Sequence, residues 1–377
     1  MEETTAFVVF KFKEVNYSSI LAASHLNTST SMPVTSTSLG DFEYNEFIRR
    51  WFEFSFMICL SLIGSVGNVH TILVYVRVKD MHERFHVRTL VTWLSVVDLI
   101  TCLVVMPFET VTIRLNHSMT SNALCKLARY IGHTTITSSW LILTVIAHER
   151  YRKIYSTLLG TYSGPCSCRK LISWMRLKST SFKHRLICTL VIISSLLISI
   201  PIFVIIGIEQ VEIKSTLLNG TQCTTLKQYR SILSAGLYSG MIGMFGLLCF
   251  IYCAYRYWKI LQLIHKQYEK EKRRKADCSE MKHNAEEEQP FNSGCCNIGR
   301  YKVTVSLIIA TGLSFCSFIL FTIGIAIVMS DSPLKNHTSN AVLMRSLFIN
   351  NAFNPVSYFI FDDKFRCACR KLYMKQK

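Results

Sequence analysis

Two adjacent opposite charges, Glu149 and Arg150, end an apolar run in TVIAHERYRKIY, residues 144–155, and Tyr151 follows them. An ion pair at the mouth of an apolar helix is chemistry for switching. Closed, it neutralises both charges; opened, it frees a guanidinium for another partner. A further charge, Asp98, stands in the middle of LVTWLSVVDLITCLVVMP. A carboxylate there is costly unless it is protonated, paired with a cation or surrounded by polar groups, and so marks a functional site. The polar residues available to it are Asn68, Ser139, Asn350, Asn351 and Asn354. Hydrogen bonding that merely holds a bundle together is the plainer reading of the same residues. No GxSxG nucleophile turn occurs, and the chain is not expected to be an enzyme.

The elements that place these groups must be membrane helices. Half of the 377 residues are hydrophobic, too many for an ordinary soluble domain. A helix needs about 20 mostly apolar residues to cross a bilayer. Seven segments reach that length, at approximately 54–76, 89–108, 127–149, 186–208, 232–255, 303–329 and 341–361, here called spans one to seven. The expected fold is an all-α, seven-helix membrane bundle. Loops 77–88, 150–185, 256–302 and 362–377 hold 30 of the 42 Lys and Arg residues, while the rest of the chain is nearly neutral. By the positive-inside rule those loops are cytoplasmic. Glycosylation acceptors give the same answer independently: Asn16, Asn27, Asn116, Asn219 and Asn336 all fall on the opposite side. The N-terminus is expected outside and the C-terminus in the cytoplasm, in the plasma membrane. The opening MEETTAFVVFKFKEV has an acidic start and a short apolar stretch, so span one is expected to act as its own insertion signal.

Of fifteen cysteines only Cys125 and Cys223 lie on the extracellular side, where disulfides persist. Such a pair has one intramolecular choice, which ties the top of span three to the loop between spans four and five. Residues 1–50 are Ser/Thr-rich and read as a disordered, glycosylated stub, with a membrane domain over 51–361 and a cytoplasmic tail over 362–377. Cys166 and Cys168 with Cys295 and Cys296 read as free thiols, because their spacing is unlike a structural zinc site. No long internal repeat is visible, which counts against a transporter built from repeats. An ion or proton transporter stays as a distant alternative that Asp98 would explain.

These residues closely resemble the rhodopsin-like (class A) G-protein-coupled receptors. GSVGN ends at Asn68, LSVVD ends at Asp98, Cys125 precedes Arg150 by 25 residues, HERY occupies 148–151, and NPVSY occupies 354–358. Phe365 in DDKFRC resembles the start of the family's short amphipathic eighth helix. The resemblance covers residues 50–377. It implies that Arg150 rests on Glu149 and is released towards a heterotrimeric G protein, with Tyr151 beside it. It further implies that Asp98, Ser139, Asn350 and Asn351 form a sodium pocket, and that Asn354, Pro355 and Tyr358 act as a switch in span seven. Departures from the family are as plain. Span six reads FCSFILF at 315–321, with neither Trp nor Pro. A helix without proline has no forced kink, so Gly312 or Gly324 is the expected pivot. The inner end of span six offers no acid to Arg150, so the resting lock is expected to depend on Glu149 alone and to leave basal signalling.

Ligand class follows by elimination. Span seven has no Lys for a retinal Schiff base, and Gly132, followed by His133, stands where amine receptors carry an Asp. Glu109, Arg129, Gly132, His133 and Arg345 are the ligand-binding candidates. Cations at an outer cavity suit a carboxylate or an acidic peptide; pairing of Arg345 with Glu109 is the equal alternative. A peptide is the expected ligand; a chemosensory receptor for a small acidic molecule and a non-signalling decoy are the alternatives. Cys367 and Cys369 fit S-palmitoylation beside membrane lipid. The tail has no Ser or Thr, so arrestin would have to use inner-loop sites such as Ser179, Thr180 and Ser181. No nucleic-acid partner is expected.

Overall fold

The computed structural model describes residues 38–78, 85–159, 169–213, 218–229, 236–283, 302–329 and 338–374. In chain order these form α1 (Leu39–Arg49), α2 (Trp51–Arg77), α3 (Phe85–Ile100), a π turn (Thr101–Val105), α4 (Met106–Arg114), α5 (Asn122–Leu159), α6 (Arg169–Ser199), α7 (Pro201–Ile205), strands β1 (Ile206–Ile213) and β2 (Leu218–Thr225), α8 (Leu237–His283), α9 (Lys302–Met329), α10 (Thr338–Arg345), α11 (Leu347–Phe361) and α12 (Asp363–Met374). Span one is α2, span two α3 and α4, span three α5, span four α6 and α7, span five α8, span six α9, and span seven α10 and α11.

Five of these spans are long and apolar enough to cross a bilayer outright, namely Trp51–Arg77, Arg88–Arg114, Phe182–Ile205, Leu237–Lys270 and Thr304–Ile327. Spans three and seven are the polar ones, for a packing reason. Span three lies against spans two, four and five and buries Thr134, Thr135, Thr137, Ser138 and Ser139. A helix walled in by protein can carry hydroxyls that a lipid-facing helix cannot. Thr137 and Thr144 satisfy theirs on carbonyls one turn back, at 2.9 and 2.8 Å.

Prolines set the breaks. Pro107 lacks an N–H and crowds the carbonyl four residues earlier, and the π turn at Thr101–Val105 opens the helix there before α4 resumes. Pro201 starts the one-turn α7 after α6 stops at Ser199. Span four therefore ends at Ile205 rather than at the expected 208, and the chain passes directly into β1.

Two expectations change. Residues 1–50 are not wholly irregular: Leu39–Arg49 is a helix, capped where the Ser38 hydroxyl accepts from the Asp41 N–H at 3.2 Å and donates to the Asp41 carboxylate at 2.7 Å. Inner loops 150–185 and 256–302 are largely helical extensions, since α5 runs to Leu159, α6 begins at Arg169 and α8 reaches His283. The loop between spans four and five holds an antiparallel hairpin with Ile208 opposite Cys223. Its alternating residues IGIEQVEI carried that signal. Cys125 and Cys223 are disulfide-bonded as expected. The hairpin also hooks the loop above span two, where Thr221 N–H donates to His117 O at 2.7 Å and Met119 N–H to Thr221 O at 3.2 Å. Glycine is required at Gly220, because a Cβ would come within 2.8 Å of the His117 carbonyl oxygen.

Gly246 on span five admits the Trp140 ring of span three; a Cβ there would lie 2.6 Å from Trp140 Cζ3. Gly246→Val is expected to lower the melting temperature of the purified protein by overpacking, at a cost of about 1–3 kcal/mol. Trp140→Leu in the same chain should recover part of the loss. Equal melting curves for Gly246→Val and the unmodified protein would show that the ring is not seated there.

Candidate functional site

The polar centre of the bundle is Asp98, fully buried on span two. Its carboxylate accepts from the Ser139 hydroxyl at 3.0 Å and from the Nδ2 groups of Asn351 at 2.7 Å and Asn354 at 2.8 Å. Spans two, three and seven thus meet at one charge. Span one joins through Asn68, whose Nδ2 donates to the carbonyls of Gly64 and Asn351, both at 2.9 Å. Asn350, expected beside Asp98, is turned the other way and receives the Ser314 hydroxyl of span six. Among the described residues no cation reaches Asp98.

At the outer end the charges compensate one another. Glu109, 2% exposed, accepts from Arg129 on span three and from Arg345 on span seven. Arg345 also donates through Nε to Glu53 Oε1 at 3.0 Å, and Arg50 Nε reaches Glu53 Oε2 at 2.9 Å. Glu53, 1% exposed, was not singled out from the sequence. Its signal was an acid three residues after Arg50 at the mouth of an apolar span. Of the ligand-binding candidates, Glu109, Arg129 and Arg345 therefore lie in one network joining spans one, two, three and seven.

Gly132 and His133 serve other contacts. A Cβ on Gly132 would lie 3.0 Å from Val105 Cγ1, so this glycine lets span three approach the π turn of span two. His133 Nδ1 is 2.9 Å from the Ser199 hydroxyl, and Tyr238 stands 3.4 Å from the same ring, joining spans three, four and five.

Arg150 is 8% exposed, but both oxygens of Glu149 carry other partners. Arg152 Nη1 donates to one at 3.0 Å, and His184 Nε2 of span four lies 3.5 Å from the other. The Glu149 carboxylate is thus shared between Arg152 and His184. A residue on a neighbouring helix has no signature in the sequence around HERY. Tyr151 stacks on Tyr155 with ring centroids 5.8 Å apart. Pro355 packs against span one, where a Cβ on Gly67 would meet it at 2.8 Å. Tyr358 is buried, and its hydroxyl makes no hydrogen bond among the described residues.

Span six carries phenylalanines but no Trp, and Trp140 of span three packs on two of the nearby rings. The Trp140 ring lies edge-on to Phe318 at 5.5 Å and to Phe250 at 6.0 Å, and Phe250 lies 5.4 Å from Phe318. Gly312 and Gly324 do not break the helix, since α9 is continuous from Lys302 to Met329.

Asn116 and Asn219 lie on the outer loops, and Asn219 is exposed. Asn16, Asn27, Asn336 and the four loop cysteines lie outside the described residues, as do the side chains of Ser179, Thr180 and Ser181. HERFH at 82–86 has the spelling of a helical zinc-binding motif, and its residues 82–84 lie outside the described residues.

Breaking a buried ion pair from one side strands the other charge, which costs about 3–5 kcal/mol. Glu109→Gln, which strands Arg129 and leaves Arg345 with Glu53 alone, is therefore expected to lower the melting temperature far more than Glu149→Gln, whose partner Arg152 is 66% exposed. Equal shifts would show that the outer network is not an ionic one.

The family described as 7 transmembrane receptor (rhodopsin family) matches residues 67–358. Among curated proteins, the chain is 28% identical over 93 residues to mouse (Mus musculus) neuropeptide Y receptor type 6, covering 25% of this chain and 25% of that one. It is 34% identical over 97 residues to rabbit (Oryctolagus cuniculus) cholecystokinin receptor type A, covering 26% and 22%. A third relative, Xenopus laevis neuropeptide Y receptor type 1, is 29% identical over 93 residues, covering 25% and 25%. Each matched stretch spans about a quarter of the relative's length. With a family match across most of the chain and the Asp98 centre joining the same spans, this multi-pass membrane protein belongs to the rhodopsin family of seven-transmembrane receptors.

Proposed function

We propose that the protein is a plasma-membrane receptor, N-terminus outside, that binds an extracellular peptide and activates a heterotrimeric G protein. The observation that carries this reading is the Asp98 centre. Ser139 and Asn354, which hold it, stand on the two spans that also carry Arg129 and Arg345 at the outer end and Arg150 and Tyr358 at the inner end. A ligand that shifts the outer network acts on helices that share one buried charge. Tyr358 is buried with no hydrogen bond to its hydroxyl among the described residues, and a packing in which that hydroxyl is bonded would recover about 1–3 kcal/mol. Two arrangements separated by a few kcal/mol respond to a modest difference in ligand affinity.

The relatives named as neuropeptide Y and cholecystokinin receptors favour a peptide. The small acidic ligand loses support because the outer cations already rest on Glu53 and Glu109. Asp98 and Ser139 offer oxygens suited to sodium, with the amides of Asn351 and Asn354 adjacent and Asn350 apart. Bound there, sodium would supply the positive charge that the buried carboxylate lacks. On α12, Cys367 is exposed, whereas burial pushes the Cys369 thiol up. Cys367 is the better placed for palmitoylation, since the thiolate is the reacting form. Arrestin would engage the inner ends, where Ser179, Thr180 and Ser181 lie on α6. A non-signalling receptor is the second reading, motivated by the unbroken α9.

The test is a peptide panel applied to cells expressing the chain with a promiscuous G protein. At least one peptide should raise second-messenger output, Arg150→Ala should abolish the response, and Cys223→Ser should weaken it by about tenfold or more. A response surviving both substitutions contradicts this reading. Peptide binding with no output from any G protein supports the non-signalling one.

A further inference from the structure

The inner end of span five carries a cluster that neither the ligand nor the polar centre uses. Arg256 lies 4.9 Å from the ring centroids of both Tyr151 and Tyr252 and 5.8 Å from Tyr255. Its Nε donates to the Tyr252 hydroxyl at 2.9 Å, and that hydroxyl is 2.7 Å from His148 Nδ1. Lys259 Nζ stands 5.5 Å from the Trp258 ring and 5.8 Å from Tyr255. Among the described residues neither cation meets a carboxylate. The nearest acid on span three, Glu149, is engaged by Arg152 and His184.

Ring faces hold a cation without consuming its N–H donors, so both groups stay positioned and able to donate. Depth fixes what they meet. Arg256 touches Tyr151, the residue after Arg150, which places it at the cytoplasmic mouth of the bundle. Tyr255 and Trp258, 48% and 56% exposed, face outwards on the same helix, as aromatic residues do at the bilayer boundary. The anionic groups at that depth are phospholipid headgroups of the cytoplasmic leaflet.

We infer that Arg256 and Lys259, set on the rings of Tyr151, Tyr252, Tyr255 and Trp258, form a binding site for the phosphate-bearing headgroup of an anionic inner-leaflet phospholipid. The inference goes beyond ligand recognition and rests on the proposed reading only for which side is cytoplasmic. The rings supply contact for the glycerol and upper acyl region, and the two cations supply the phosphate contacts. Because Arg256 bridges spans three and five, the lipid would tie together the inner ends of two helices next to Arg150.

Native mass spectrometry of the detergent-solubilised full chain, titrated with phosphatidylinositol 4,5-bisphosphate against phosphatidylcholine, tests this without regard to orientation or agonist. Arg256→Gln with Lys259→Gln should weaken binding of the phosphoinositide by about tenfold to thirtyfold, each basic group near the surface contributing about 1 kcal/mol. Lys272→Gln with Arg273→Gln, which removes the same charge farther along the helix, should change it little. Arg256→Lys should retain most of the affinity, and an unchanged melting temperature shows that each variant is folded. Equal loss in both double variants would overturn the site in favour of diffuse charge. Intact lipid affinity with lost G-protein activation would overturn it in favour of a protein partner.

Discussion

A carboxylate removed from water on all sides needs hydrogen-bond donors, and in this bundle they come from other helices. Asp98 on span two is held by one hydroxyl from span three and two amides from span seven. An unpaired charge in hydrocarbon would cost several kcal/mol, so these spans cannot drift apart without replacing those bonds. The remaining architecture answers that constraint. Hydroxyl-rich span three lies in the middle because only there are its polar groups enclosed by protein, and span seven breaks between Arg345 and Leu347, above the residues that bind Asp98.

The two ends of the bundle show the same economy of charge. Outside, three guanidinium groups and two carboxylates form a chain from Arg50 to Arg129. Inside, Glu149 is divided between a flanking arginine and a histidine of span four. Neither end is a simple pair. A shared carboxylate exchanges partners at less cost than a buried isolated pair, because a broken bond does not leave it unpartnered. That property suits helices that must have two packings.

Much of this was legible in the sequence, where one residue type at one depth has few alternatives. Asp98, Ser139, Asn351 and Asn354 could be placed together because span lengths and the 1.5 Å helical rise fix depth. The Cys125–Cys223 bond was legible because only two cysteines were expected on the extracellular side. What was not legible depends on rotation and on distant neighbours. Asn350 and Asn351 are adjacent, and only the helix phase decides that the second meets Asp98 while the first meets Ser314. His184 and Trp140 act across helix interfaces with no local pattern. The cations at the outer mouth read equally as ligand sites or as partners of Glu109, because a sequence shows a charge but not its partner; the structure pairs Arg345 with Glu109 and with Glu53 as well. Inner boundaries were placed too early because a helix extends past the bilayer into water without needing apolar residues, as α8 does.

The central claim is that Asp98 binds span two to span seven through a specific polar pair. A double-mutant cycle on melting temperature tests it, with Asp98→Asn, Asn354→Asp and the reciprocal swap of both. The account predicts strong coupling of about 1 kcal/mol or more, so that the swap melts well above the sum of the two single shifts. Shifts that add to within about 0.5 kcal/mol would contradict it and leave Asp98 a buried charge without a structural partner.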